Sequence, residues 1–219
     1  MLDLMPKISE RFDQLGGVEK YVEKYGKAEI QYFAKEAKPH NIDFSVSIEK
    51  LCSMYQMKEI TVHPPLTNNF DIEVIIMYDE QIVRNMLEQL VYLSEKLNLK
   101  LNIIFHTHFS LEIHKFLTLE KIRNLVKILE GTNVKILIEN LFLLTEPRNQ
   151  TSALELCKEI DHPSVRMCFD ICHMYCQTNM YKTNIETWME NKLNKLYKLL
   201  DNRYMDIKER TADDFYVIR

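Results

Sequence analysis

The feature that most constrains this chain is an alternation. Short, nearly continuous apolar runs are separated by longer stretches with helical periodicity. Ala28–Phe33, Ile60–His63, Leu101–His106, Val134–Glu139 and Val165–Asp170 read as strands, with Leu2–Ile8 as a weaker first one. Runs that are apolar on both faces are the mark of parallel strands covered on both sides. Between them, Ile82, Met86, Leu90, Leu93 and Leu97 fall on one side of a helix over about residues 80–97. Ile122, Leu125, Val126 and Leu129 do the same, with Thr118 as the expected N-cap and Gly131 just past the end. Ser152 and Glu155 have the spacing of a capping box ahead of Leu156, Cys157 and Ile160. A later helix is expected from Met189, Leu193, Leu196, Tyr197 and Leu200. Strand followed by helix, at least five times over, predicts an α/β fold with a parallel sheet. Periodicity leaves open whether that sheet is doubly wound or closed into a barrel.

The bulk numbers narrow the classes. With 219 residues, 46% of them hydrophobic, the chain suits one domain over residues 1–219. A formal net charge of −4 leaves no overall basic footprint of the kind that drives non-specific nucleic-acid binding. Only four glycines occur, at positions 16, 17, 26 and 131, too few and too scattered for a glycine-rich phosphate loop. Met1 to Phe12 has no apolar core of a signal peptide, and no run approaches the ~20 apolar residues of a membrane span. Five cysteines, an odd number, fit reduced thiols, so a cytoplasmic protein is expected.

The polar residues are informative by position. Glu59–His63 ends in a histidine before Pro64 and Pro65, and Leu101–His106 ends in another. Val134–Glu139 ends in a glutamate, and Val165–Asp170 in an aspartate with His173 three residues on. In parallel α/β folds the carboxyl ends of the strands form the ligand-binding face, so these side chains should converge. Imidazole and carboxylate suit zinc and, with more oxygen ligands, manganese or magnesium. Taken singly, a histidine at a strand end is more often a structural hydrogen-bonding residue. Four successive strand ends carrying such groups are much harder to obtain by accident.

These motifs resemble those of endonuclease IV and its xylose-isomerase-like relatives. The resemblance rests on His63 in Thr-Val-His-Pro, His106 in Phe-His, Glu139 in Ile-Glu-Asn, and Phe169-Asp-Ile-Cys-His173. It covers about residues 55–180 and implies a TIM (β/α) barrel. It implies that His63, His106 and Glu139 hold one zinc ion, and that Glu139 bridges to a second ion also bound by Asp170. His173 would serve a third ion or touch substrate. The implied activity is phosphodiester hydrolysis at abasic sites in DNA, with Glu139 the catalytic residue. The alternatives are a sugar or sugar-phosphate isomerase or epimerase, and a degenerate, non-catalytic barrel. The partner is accordingly DNA or a small sugar.

The C-terminal part departs from the family pattern. No histidine follows His173, where the family places further ligands. Lys198 and Asp206 are at most an echo of them, and Glu209 is a weak candidate for a last-strand glutamate. After Leu200 only Phe215–Ile218 has strand character. The expectation is therefore an incomplete barrel lacking a clear seventh or eighth βα unit, whose open edges would favour an oligomer. His108 and Tyr32 are candidates for substrate contact, with core packing the alternative for Tyr32. Cys168 reads as a buried small hydrophobe of its strand.

Overall fold

In the computed structural model, which describes residues 4–9, 12, 18–32, 42–64, 80–106, 112–140, 150–170, 173 and 216–218, the apolar runs form one parallel sheet. Its strands are β1 (Leu4–Met5), β2 (Lys7–Ser9), β3 (Lys27–Gln31), β4 (Glu59–His63), β5 (Lys100–Phe105), β6 (Val134–Glu139), β7 (Val165–Asp170) and β8 (Tyr216–Ile218). The intervening helices are α1 (Glu19–Tyr25), α2 (Ser45–Met54), α3 (Glu80–Leu97), α4 (Glu112–Leu125) and α5 (Gln150–Ile160).

The order across the sheet is β1-β8-β7-β6-β5-β4-β3-β2, every pair parallel. β1 and β2 are two pieces of one extended segment broken at Pro6, which has no N–H to give a ladder. One piece pairs with β8 and the other with β3, so the two ends of the order meet and the sheet closes into a barrel. Counting β1 and β2 as one, the described residues supply seven strand positions, one short of a full (β/α)8 barrel. The described sheet closes, so the open edges expected of an incomplete barrel are not found among the described residues, and Tyr216–Ile218, within the last run of strand character, supplies the closing strand.

Alternation along each strand sorts side chains between two cores. Ala28, Ile30, Ile60, Val62, Leu101, Ile103, Phe105, Val134, Ile136, Ile138, Val165, Met167 and Phe169 point outward and pack against the helices in one large cluster. α3 contributes Ile82, Val83, Met86, Leu87, Leu90 and Leu93 to it. The lumen holds a much smaller apolar layer of Met5, Ile104, Leu137 and Cys168. Lower in the lumen the filling is polar. Asn102 Nδ2 donates to Glu59 Oε1 at 3.0 Å and to Thr61 Oγ1 at 3.2 Å, and Lys27 Nζ lies 3.2 Å from Glu59 Oε2.

Local chemistry sets the connections beneath the barrel. Gly26 ends α1 with φ 67°, and its carbonyl accepts from the Lys58 and Glu59 amides. A Cβ there would lie 2.5 Å from the Gln56 carbonyl oxygen, so only glycine fits. Ser94 Oγ donates to the Leu99 carbonyl at 2.6 Å, closing the turn from α3 into β5.

Several boundaries differ from the sequence reading. α3 spans residues 80–97 as expected, and Gly131 adopts φ 74° beyond the helical segment that ends in a 3-10 turn, Val126–Leu129. Thr118 is not an N-cap, because α4 begins six residues earlier at Glu112. Ser152 lies inside α5, which begins at Gln150, so the Ser152–Glu155 spacing does not mark the helix start. In both cases the helix continues outward past the capping signal, as packing against a barrel can override a local preference. The first strand reaches Ser9 and is split at Pro6, where Leu2–Ile8 had been expected. β3 and β5 each begin one residue early, and they stop at Gln31 and Phe105. The expected helix over Met189–Leu200 falls outside the described residues.

Candidate metal centre

The barrel mouth is built by strand parity. His63, Glu139 and Asp170 are the last residues of β4, β6 and β7, and His106 follows β5 directly. Each is an even number of residues from a lumen-facing position below it: Thr61, Ile104, Leu137 and Cys168. All four side chains are buried, Glu139 completely.

Glu139 is the hub. Its Oε2 contacts His106 Nε2 in a short hydrogen bond and lies 3.5 Å from His63 Nε2. The two imidazoles stand edge to face, ring centroids 4.8 Å apart. Its other oxygen, Oε1, lies 3.3 Å from His173 Nδ1, and His173 Nδ1 is 3.7 Å from Asp170 Oδ2. Two groups of potential metal ligands result, His63–His106–Glu139 and Glu139–Asp170–His173, sharing the one glutamate. The structure thus brings together all five residues picked from the strand ends.

The electrostatics follow from burial. His63 Nδ1 lies 2.9 Å from the Pro64 carbonyl and 3.1 Å from the Gln31 amide nitrogen, and Nε2 faces the Glu139 carboxylate at the mouth. Burial lowers the His63 pKa to about 4, so the ring is neutral near pH 7. Burial works to raise the Glu139 pKa, but His106 and His63 outweigh it and hold the carboxyl well below its ordinary value. Asp170 is raised, by burial and then by the Glu139 charge.

Some neighbours were not foreseen. Gln31, at the end of β3, is in register with His63; its amide donates to the Tyr32 carbonyl and lies 3.1 Å from His63 Nδ1. Asn140 bonds both backbone groups of Asp170. Lys7 and Glu29, register partners on β2 and β3, pair at 3.0 Å inside the lumen. Burial pushes the Glu29 pKa up to about 8. Burial also opposes the Lys7 ammonium, yet the Glu29 and Glu139 charges outweigh it and raise its pKa. The available signals were slight: Glu29 and Gln31 interrupt an otherwise apolar strand, and Asn140 is the polar residue after Glu139.

Tyr32 is packed edge-on against Phe44 at 5.2 Å, its hydroxyl donating to the Phe44 carbonyl at 3.4 Å. It is a core residue, which argues against the substrate contact expected of it. Cys168 is buried in the lumen as expected. His108, Lys198, Asp206 and Glu209 lie outside the described residues.

Residues 14–209 match the family described as the xylose isomerase-like TIM barrel. The chain belongs to that family. Among solved structures, this xylose isomerase-like barrel is similar to an AP endonuclease, family 2, from Brucella melitensis, with TM-score 0.57 and 15% identity, over 87% of this chain and 75% of that one. It is similar to a 3-keto-D-glucoside 4-epimerase from E. coli, with TM-score 0.55 and 12% identity, over 100% of this chain and 92% of that one. It also resembles a D-allulose 3-epimerase from Methylomonas sp., with TM-score 0.53 and 12% identity, over 82% and 66% of the two chains. At such identities the likeness establishes the fold. No curated protein matches the chain.

The residues of this xylose isomerase-like barrel fit a divalent cation. Glu139 Oε1 is completely buried and has no hydrogen-bond partner among the described residues, an arrangement that is costly for a carboxylate without a cation nearby. His63 and His106 both turn Nε2 toward the other oxygen of the same carboxylate. Between His106 and Glu139 a proton holds the contact, and a metal ion competes with that proton for the same atoms. No helix among the described residues is long and apolar enough to cross a membrane.

Proposed function

We propose that this chain is a divalent-metal-dependent isomerase or epimerase acting on a small sugar or sugar phosphate. The observation that carries the reading is the fully buried Glu139 shared between two imidazoles on one side and Asp170 with His173 on the other. His63, His106 and Glu139 would hold the ion, zinc or manganese by donor type. When bound it supplies Lewis acidity for the oxygens of a carbonyl and its neighbouring hydroxyl. His63, neutral near pH 7, offers an uncharged ring to the ion, and ionised Glu139 supplies the charge, which makes it the residue on which activity depends. Asp170, its pKa raised beside Glu139, is suited to hold a proton at Oδ2. The similarity to sugar epimerases and the chain's net negative charge favour a small substrate over DNA.

The two histidines on successive strand ends favour a second reading, phosphodiester hydrolysis of the endonuclease IV type, in which His63, His106, Glu139, Asp170 and His173 would hold zinc and the metal would supply Lewis acidity for the phosphate. One experiment separates the two. Protein reconstituted with manganese or zinc is incubated with ketohexoses in deuterium oxide, and exchange at the carbon beside the carbonyl is followed by NMR. Exchange that Glu139→Gln abolishes supports the isomerase reading. Cleavage of an abasic-site duplex without sugar exchange replaces it with the second, and neither activity in metal-loaded protein rejects both.

A further inference from the structure

The parallel ladder between β6 and β7 continues beyond its last strand pair through a side chain. The final register pair is Glu139 with Cys168, and the Asn140 amide still donates to the Cys168 carbonyl at 3.3 Å. Beyond that, the Asn140 side chain takes over. Its Nδ2 donates to the Asp170 carbonyl at 3.0 Å, and its Oδ1 accepts from the Asp170 N–H at 2.7 Å. A primary amide is the group that can give and take on one backbone unit in this way. The same residue's carbonyl accepts from His173 Nδ1 at 2.9 Å, while the His173 N–H donates to Asp170 Oδ1 at 2.8 Å. Asn140 is fully buried, so its own amide and carbonyl groups have no water as a substitute partner.

We infer that Asn140 is a positioning residue that clamps Asp170 and His173 against Glu139 and so makes the second ligand group. Among the described residues it ties that group to the first without a hydrogen bond to His63 or His106. Three links meet on one residue: the Asp170 backbone, the His173 ring and the covalent bond to Glu139. The ring link makes His173 Nδ1 the hydrogen-bearing nitrogen, because a carbonyl only accepts, and so leaves Nε2 as the ring nitrogen that would hold an ion. Loss of the side chain frees the Asp170 backbone and, with it, the carboxylate that holds the His173 N–H.

The inference rests on the metal reading above, and its test has an arm that does not. The full chain and Asn140→Ala are titrated with cobalt(II) by calorimetry and by visible absorption, and amide hydrogen exchange is measured on metal-free protein. The wild type is expected to show two classes of site. Asn140→Ala should weaken the second class by about 10- to 100-fold, as loss of an outer-shell partner does, and leave the first within about 2-fold. Equal loss in both classes, or in neither, overturns the inference. In metal-free protein the Asp170 amide should exchange at least about 10-fold faster in the variant, while the Ile138 amide in β6 is unchanged. Should the wild type bind one ion or none, the metal reading of the second group fails and the exchange arm alone decides; an unchanged Asp170 amide then overturns the clamp. If Asn140→Ala does not fold, Asn140→Asp serves. It keeps the shape and one acceptor but sets an oxygen against the Asp170 carbonyl, so the same selective loss of the second class is expected.

Discussion

Glu29 gives the sharpest quantitative test of the lumen. It has no exposed surface, and its partner is Lys7 at 3.0 Å. Burial lifts its pKa from the ordinary 4.5 to about 8. The folded chain therefore holds a proton on Glu29 at pH values where the unfolded chain has released it. A raised folded-state value means that the stabilisation is complete below pH 4.5 and lost as pH rises through 8. At about 1.4 kcal/mol per pH unit, the whole span is worth about 5 kcal/mol. The window must be chosen with His63 in mind. Its pKa falls from 6.5 to about 4, so the unfolded chain binds the extra proton and stability rises with pH over that interval. Below pH 6.5 the two groups oppose each other; from pH 6.5 to 8 His63 leaves only a small residual slope, which a Glu29 variant shares and which cancels in the comparison. Over that window wild-type protein should lose about 2 kcal/mol through Glu29, the slope flattening near its own pKa. Glu29→Gln has nothing to titrate and should lack this loss. With a urea slope of about 2 kcal/mol per molar, the variant's unfolding midpoint should gain about 1 M on the wild type between pH 6.5 and 8. Both proteins are unfolded in urea, metal-free, at pH 6.5, 7.2 and 8. A difference between them that does not change with pH refutes the reasoning, because it means that Glu29 is ionised in the fold throughout.

Four further outcomes are expected. Glu139→Gln should abolish divalent-ion binding by the His63–His106 group, read by elemental analysis after dialysis, because it removes the one anion both imidazoles face. Gln31→Ala should weaken that binding by about 10-fold or more, since the His63 ring loses a neighbour that holds its plane; calorimetry measures it. In metal-free protein the His63 ring should stay neutral on acidification until near pH 4, seen as an NMR titration displaced from the ordinary 6.5. Gly26→Ala should destabilise more than Gly131→Ala in denaturant unfolding. Both glycines have positive φ, worth about 1–2 kcal/mol of strain, but only Gly26 would also drive a Cβ into a backbone oxygen.

Legibility in the sequence varied with the range of the cause. The apolar runs were readable because each strand is buried by contacts repeated along its own length, and Val134–Glu139 and Val165–Asp170 carry the same bounds in both readings. Thr118 and Ser152 misled because a cap is a local preference worth only about 1 kcal/mol, and a helix packed on a barrel can extend past it. The lumen was hardest to read. Lys7 and Glu29 are charged residues in strands, and nothing local says that they face each other rather than solvent.

What the sequence determined by itself was the set of strand ends and the chemistry placed on them. His63, His106, Glu139 and Asp170 each close an apolar run, and a parallel sheet has only one end at which such residues can gather. What only the tertiary structure decided was how they are coupled: which oxygen of Glu139 faces which histidine, and which polar side chains hold them. Gln31 reaches His63 across 32 residues, and Asn140 reaches Asp170 across 30. The reason is register. A shift of one residue between neighbouring strands turns every side chain to the other face, and only the closed barrel, with β1 and β2 joining its two edges, sets that register all the way round.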